Sequence, residues 1–347
     1  VSAVRDSFRQ QAEACAALGS PLTARLCRLC ADRLDSGAVA VRVLGWPGNP
    51  DGKADALALR LMGGLHALVL TGADVALAEA YAAAADLSDD HLWSTVAQAL
   101  DIHAAALLRW LDSPPQTNEV RRSAVLIAAG HWLEARFGLP LVLSELGSSA
   151  GLNLMWDRWR LEAAGAALGP ADAPVVLRPD WRGSVPVACP PQVIARAGVD
   201  LAPLHPHRDR LRLLSYIWAD QPDRLGRTRA ALDVAAADPP AVAQGDALDW
   251  LDRRLAQPRP GALHLIFHTV AWQYFPAATQ VRGAALLAAA GARATADAPL
   301  ARLAMEADST GLPGAALTLD LWPEGRRIAL GRVDFHGRWV DWQAPAA

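Results

Sequence analysis

The stretch Leu139–Trp159, LPLVLSELGSSAGLNLMWDRW, decides how the rest of the chain is read. A largely apolar run ends in Glu145, and Gly147, Ser149 and Gly151 follow at alternate positions before a segment of helical character. A strand, a small-residue turn and a helix make a common active-site scaffold. Three chemistries use it: a G-x-S-x-G nucleophile elbow, a dinucleotide fingerprint, and the acidic, glycine-containing loop that holds S-adenosylmethionine.

Counted from Gly147, the dinucleotide pattern G-x-G-x-x-G requires glycine at 149 and 152, where the chain has Ser149 and Leu152. A Cβ there obstructs the pyrophosphate or the helix packing, so this reading is rejected. The elbow Gly147-Ser148-Ser149-Ala150-Gly151 matches its short pattern, with Asp320 or Asp334 and His336 as later triad candidates. An α/β-hydrolase, however, places several strands before its nucleophile, and the residues before Leu139 read as helix. A serine hydrolase using Ser149 therefore stands as the alternative.

The third reading accounts for more of the chain. Glu145 stands at a strand end, and the turn after it is open enough for a ligand to meet backbone. Its N–H groups, with those opening the next helix, are expected to receive the cofactor carboxylate, and Glu145 its amino group. VIARAGVDLAPL supplies a second strand with Asp200 at the ribose position. AVAQGDALDWL supplies a third, with Asp246 at the adenine turn or as a helix N-cap. ALHLIFHTVAWQYFP is the fourth, ending in His268, a candidate general base or substrate orienter. LARLAME is the fifth, and AALTLDLW with RIALGRVDF closes the sheet as an antiparallel hairpin. Asp200 lies far beyond Glu145, whereas such an acid usually follows about 20 residues on. Residues 165–190, rich in Pro and Gly, are read as an insertion.

Outward from this core, apolar residues before Leu139 recur at three and four, which predicts a helical N-terminal domain or lid over residues 1–115. Pro21 is placed to start a helix. Residues 116–347 form the α/β domain, a Rossmann-like, mainly parallel sheet with covering helices. QTNEVRRSAVLIAAGHWLEARFG restarts the helical pattern, with Thr117 or Asn118 as N-cap.

The chain has 347 residues, is 52% hydrophobic and 20% charged, and carries a formal charge of −3. It holds a large core, and nothing in its charge pattern predicts a nucleic-acid or membrane partner. Residues 1–14 are amphipathic and charged, and the apolar runs break too early to span a bilayer, so a cytoplasmic protein is expected. Cys27-Arg-Leu-Cys30 lacks a second ligand pair and reads as one face of a buried helix. His205-Pro-His207 lacks a third ligand. No metal is expected.

With these pieces assembled, the chain resembles a bacterial family known as domain of unknown function 2332. QTNEVRRSAVL, ELGSSAGLNLMWDRW, DWRG, RAGVDLAPL, GDALDWL, FHTVAWQYFP and HGRWVDW carry the resemblance, in that order. The family is similar to divergent S-adenosylmethionine-dependent methyltransferases, and its label carries no reaction.

The expected cofactor site comprises Glu145, Gly147, Ser149, Ala150, Gly151, Asn153, Asp200 and Asp246. Asn118, Glu119 and Arg122 are substrate or lid candidates, together with Trp272 and Tyr274. The expected activity is methyl transfer to a small molecule. A methyltransferase-fold protein that binds without turnover is the third possibility, and oligomeric state is not readable.

Overall fold

The computed structural model describes residues 1–347. The chain divides into two compact units, Val1–Thr117 with Arg208–Arg229, and Asn118–His207 with Ala230–Ala347. Arg208–Arg229 falls inside the range expected to be α/β, yet groups with the N-terminal helices.

The first unit begins with seven helices: α1 Ser2–Ala17, α2 Pro21–Arg33, α3 Gly37–Leu44, α4 Leu57–Thr71, α5 Val75–Ala82, α6 Asp89–Ile102 and α7 Ala104–Leu111. Local chemistry sets several starts. Pro21 occupies the first turn of α2. Asp74 accepts the Leu77 amide at 2.9 Å to begin α5, and Ser88 accepts that of His91 at 3.2 Å to begin α6. Their apolar stripes meet in one core that includes Phe8, Leu26, Leu61, Leu65, Leu92 and Leu107. Cys15, Cys27 and Cys30 are buried in it. No single helix in the chain is long and apolar enough to cross a membrane.

In the second unit a 3-10 turn, Val120–Arg122, leads into α8, Ser123–Phe137. Gly138, with φ 58°, ends that helix in the left-handed conformation glycine tolerates, and β1, Leu141–Leu146, follows. After the glycine turn comes a 3-10 helix, Leu152–Arg158, kinked at Met155, where a regular helix was expected. The strands β2 Arg160–Ala163, β3 Ala166–Leu168, β4 Val176–Leu177 and β5 Asp180–Arg182 occupy the predicted insertion, and β6, Val193–Asp200, resumes the main sheet. α9 Arg210–Ser215 and the first half of α10 Pro222–Ala237 belong to the first unit; the second resumes within α10 and continues with β7 Val242–Gln244, α11 Ala247–Leu255, β8 Leu263–Thr269 and α12 Ala277–Gly291. The chain closes with β9 Leu300–Glu306, β10 Ala315–Trp322, β11 Arg326–Val333 and β12 Trp339–Trp342.

The main sheet has nine strands in the order β5-β12-β11-β10-β9-β8-β1-β6-β7. From β7 to β9 all pairings are parallel, and β9 to β12 form an antiparallel meander. β1 and β8 are buried along their whole length, as expected of central parallel strands covered on both faces. On one face Leu248, Leu251 and Leu255 of α11 and Leu287 of α12 join Leu146, Val199, Ile266 and Leu300 in a single apolar cluster. The insertion builds a small sheet, β3-β2-β4, while β5 pairs with β12 at the edge of the main one.

Taken in chain order, the five parallel strands lie side by side as third, second, first, fourth and fifth. The order reverses between β1 and β8, the switch point outside whose carboxyl ends open α/β sheets generally form their ligand crevice.

Candidate functional site

The crevice is built from the ends of β1, β6 and β8. Glu145 is the penultimate residue of β1 and is 2% exposed. Burial, with the Asp200 carboxylate near it, pushes Glu145 well above the usual carboxylate range, while the Ser148 hydroxyl and Arg122 pull it down. Its Oε2 is buried without a hydrogen-bond partner. Asp200 ends β6, and its two oxygens accept the amides of Ser149 at 2.8 Å and Ala202 at 2.9 Å.

The turn after β1 is held from within. The Gly147 and Ser148 amides donate to Val199 O at 2.9 and 3.1 Å, Gly151 N to Ser148 O at 2.8 Å, and Leu152 N to Asn118 Oδ1 at 2.9 Å. With Ser149 N held by Asp200, these amides are spent inside the protein. This corrects the expectation that these five amides receive a ligand carboxylate.

Gly147, Ser149 and Gly151 have φ of 73°, 54° and 72°. A Cβ at Gly147 would lie 2.6 Å from that of Ala271, and one at Gly151 2.6 Å from Pro240 Cγ, so both positions need glycine for space as well as conformation. Serine at 149 bears a left-handed backbone that costs a non-glycine residue roughly 1–2 kcal/mol. The Asp200 carboxylate fastens its amide in that geometry. Ser149 Oγ, like Glu145 Oε2, is buried without a partner.

The segment before α8 packs on this turn. Asn118 binds Leu152 N rather than capping a helix, and Ser123 Oγ donates to Asn153 Oδ1 at 2.8 Å. Arg122 donates through Nε to Phe335 O and through Nη1 to Thr269 O, both at 2.9 Å. Glu119 is buried and accepts the Arg121 amide at 3.0 Å, fixing the 3-10 turn. Ala150 and Asn153 are buried at the turn.

Asp246 stands apart in role. It caps α11 by accepting the Leu248 and Asp249 amides at 2.9 and 3.0 Å, and half its side chain is exposed.

His268 is fully buried near the end of β8. Nδ1 lies 2.6 Å from Glu306 Oε1, and Arg302 Nε donates to Nε2 at 3.1 Å. An acceptor at Nε2 places the ring proton on Nδ1. Burial holds the imidazole below its usual pKa against the pull of Glu306. With both nitrogens committed, His268 has none to offer a substrate, and the general-base expectation gives way to a positioning role.

The residue that sequence reasoning missed is Glu306, the last of β9. It also accepts the amides of Ala271, Trp272 and Gln273 at 3.1–3.2 Å. Burial would raise this carboxyl, but His268 and those amides hold it below the usual range. The available signal was an acid at the carboxyl end of a parallel strand, beside His268 on the next strand. Glu306 thus shapes the loop whose Ala271 covers Gly147. Trp272 in that loop is buried, stacks on His268 at 5.0 Å and lies under Arg302 at 4.5 Å. Tyr274 points away from packing and is 70% exposed.

The alternative triad is not assembled. Ser149 Oγ has no hydrogen-bond partner, Asp320 is paired with Arg327 at 2.6 Å, and Asp334 with Arg338 at 2.7 Å.

Fold and site therefore define a mixed α/β protein with a mostly parallel sheet and two acids, Glu145 and Asp200, at its strand-order reversal. The chain belongs to the family described as "Uncharacterized protein conserved in bacteria (DUF2332)", whose model matches residues 5–342. No curated protein and no solved structure matches it.

Proposed function

We propose that the crevice binds S-adenosylmethionine and that the chain is a methyltransferase-like enzyme acting on a small molecule. The observation that carries this reading is the pair of buried, unpartnered oxygens, Glu145 Oε2 and Ser149 Oγ, at the point where the strand order reverses. Buried polar atoms normally have partners, and two orphans on one turn fit a ligand-binding site better than a purely structural turn. The 3-2-1-4-5 order of the parallel strands and the acids ending β1 and β6 support the same reading.

Glu145 suits the amino group of the cofactor. Burial raises this carboxyl, so a cationic partner lowers it again, and the pair then compensates both charges. Arg122 provides positive charge beside Glu145 for the cofactor carboxylate, in place of the turn amides already bonded within the protein. Asp200, while holding the turn, keeps lone pairs for ribose hydroxyls, and Ser149 Oγ has donor and acceptor capacity to spare. When bound, the cofactor would supply an electrophilic methyl group. The protein's share is to orient the acceptor and exclude water. The Glu306–His268–Arg302 cluster fixes the loop after β8 for that purpose.

The direct test is calorimetry with S-adenosylmethionine and S-adenosylhomocysteine, run in buffers of different ionisation enthalpy. Binding with proton release supports the reading. No heat with either compound at millimolar concentration overturns it. Transfer of labelled methyl then separates an enzyme from a protein that only binds.

A further inference from the structure

A second cavity, of about 270 Å³, lies away from the crevice. Its walls come from α8, the 3-10 helix and the ends of the insertion, all within the second unit. His131 is eight residues along α8 from Ser123, about 12 Å at helical rise. Pro190 and Pro191 precede β6, at the amino end of that strand. The two sites therefore sit toward opposite ends of the sheet.

We propose that the cavity walled by Ile127, His131, Trp156, Trp159, Pro170 and Pro190 binds an uncharged aromatic carbonyl compound of one or two rings. The pocket is walled by indole and pyrrolidine rings, which are too large and rigid to fold into the space themselves. Flat apolar walls with a few polar groups are the usual make-up of a small-molecule site.

The polar groups set the ligand's chemistry. Trp156 is 1% exposed, and its Nε1–H is buried without an acceptor. His131 accepts the Cys189 amide on Nδ1 at 2.9 Å, which leaves the ring proton on Nε2 as a second neutral donor. Burial lowers His131 to about 4, so it stays uncharged at neutral pH. Asp157, the one carboxylate in the lining, is held by Arg196 at 2.7 and 2.9 Å. The Trp159 indole N–H is committed to Leu152 O at 3.3 Å. The side-chain polar atoms of the lining that are left uncommitted are thus donors, and its one carboxylate is paired.

The test uses the full chain with 1-indanone and, as its counterpart without the carbonyl, indane, both titrated by calorimetry and ligand-observed NMR. Saturable one-to-one binding of indanone, tighter than indane, is expected. Trp156→Phe keeps an aromatic side chain and removes the donor, and should cut the preference for indanone over indane about ten-fold. Ile127→Phe fills the cavity and should abolish both. Glu145→Gln should alter neither, which separates this site from the crevice. Absence of saturable indanone binding at millimolar concentration overturns the proposal, as does indane binding equally well. Should Trp156→Phe fail to fold, the indanone–indane comparison on the native chain decides.

Discussion

Replacing Glu306 by glutamine asks whether one carboxylate shapes the loop over the crevice. Its oxygens receive His268 Nδ1 at 2.6 Å and the amides of Ala271, Trp272 and Gln273 at 3.1–3.2 Å. All of these partners donate. A glutamine offers one oxygen instead of two and turns an NH₂ toward groups that are themselves N–H. At least one buried donor is left unsatisfied, at about 1–3 kcal/mol, and the surviving bonds lose their charge assistance, roughly 1 kcal/mol each. With three bonds surviving, the total is about 4–6 kcal/mol. For a cooperative unit of about 200 residues this lowers Tm by roughly 8–24 °C.

The pH dependence has a definite sign. The folded carboxyl lies below its unfolded value, so its contribution is present above that value and is lost as pH falls through the folded pKa. Urea unfolding and scanning calorimetry at pH 7 and in steps down to pH 3 should show the variant's deficit shrinking below about pH 4.5. A loss under about 1 kcal/mol at pH 7, or a deficit equally large at pH 3, would refute the assignment.

Other outcomes follow from the same geometry. Glu145→Gln should weaken S-adenosylmethionine about 10–100-fold in calorimetry, the worth of a charge-assisted bond, and abolish the accompanying proton release. Because Glu145 Oε2 is already unpartnered, the variant's unfolding free energy should not fall by more than about 0.5 kcal/mol. Gly147→Ala meets both a positive φ and the Ala271 Cβ at 2.6 Å, and should cost about 2–4 kcal/mol in urea unfolding. A fluorophosphonate should not label Ser149, and labelling abolished by Ser149→Ala would restore the hydrolase. His264, buried near Arg254 and Arg259, is lowered to about 3. Between about pH 6.5 and 3 only the unfolded chain protonates it, so stability should fall with a slope approaching 1.4 kcal/mol per pH unit. His264→Gln should flatten that slope in an unfolding series.

Much of the fold was written in local pattern. The apolar runs LVLSEL and LHLIFHT admit burial on both faces, and β10 and β11 pair as the expected hairpin. Three- and four-residue periodicity found the N-terminal helices but not their breaks, such as the one at His103 between α6 and α7. Periodicity says which face is apolar and not where a backbone turns.

The candidate site was legible as residue types in order: Glu145, the small-residue turn, Asp200 and the Asn118–Arg122 segment do converge. What each side chain touches was not legible. Whether Asp246 meets a ligand or caps α11, whether His268 is a base or a buried link, and whether the turn amides are open all depend on partners distant in sequence. Glu306 was visible as an acid ending a strand, but its role was not, since its donors come from β8 and the loop beyond it. Sequence alone thus determined the elements, because helix and strand periods are local properties of the chain. Only the tertiary structure decided which polar atoms are spent and which are left wanting a partner, because hydrogen bonds and desolvation act across space.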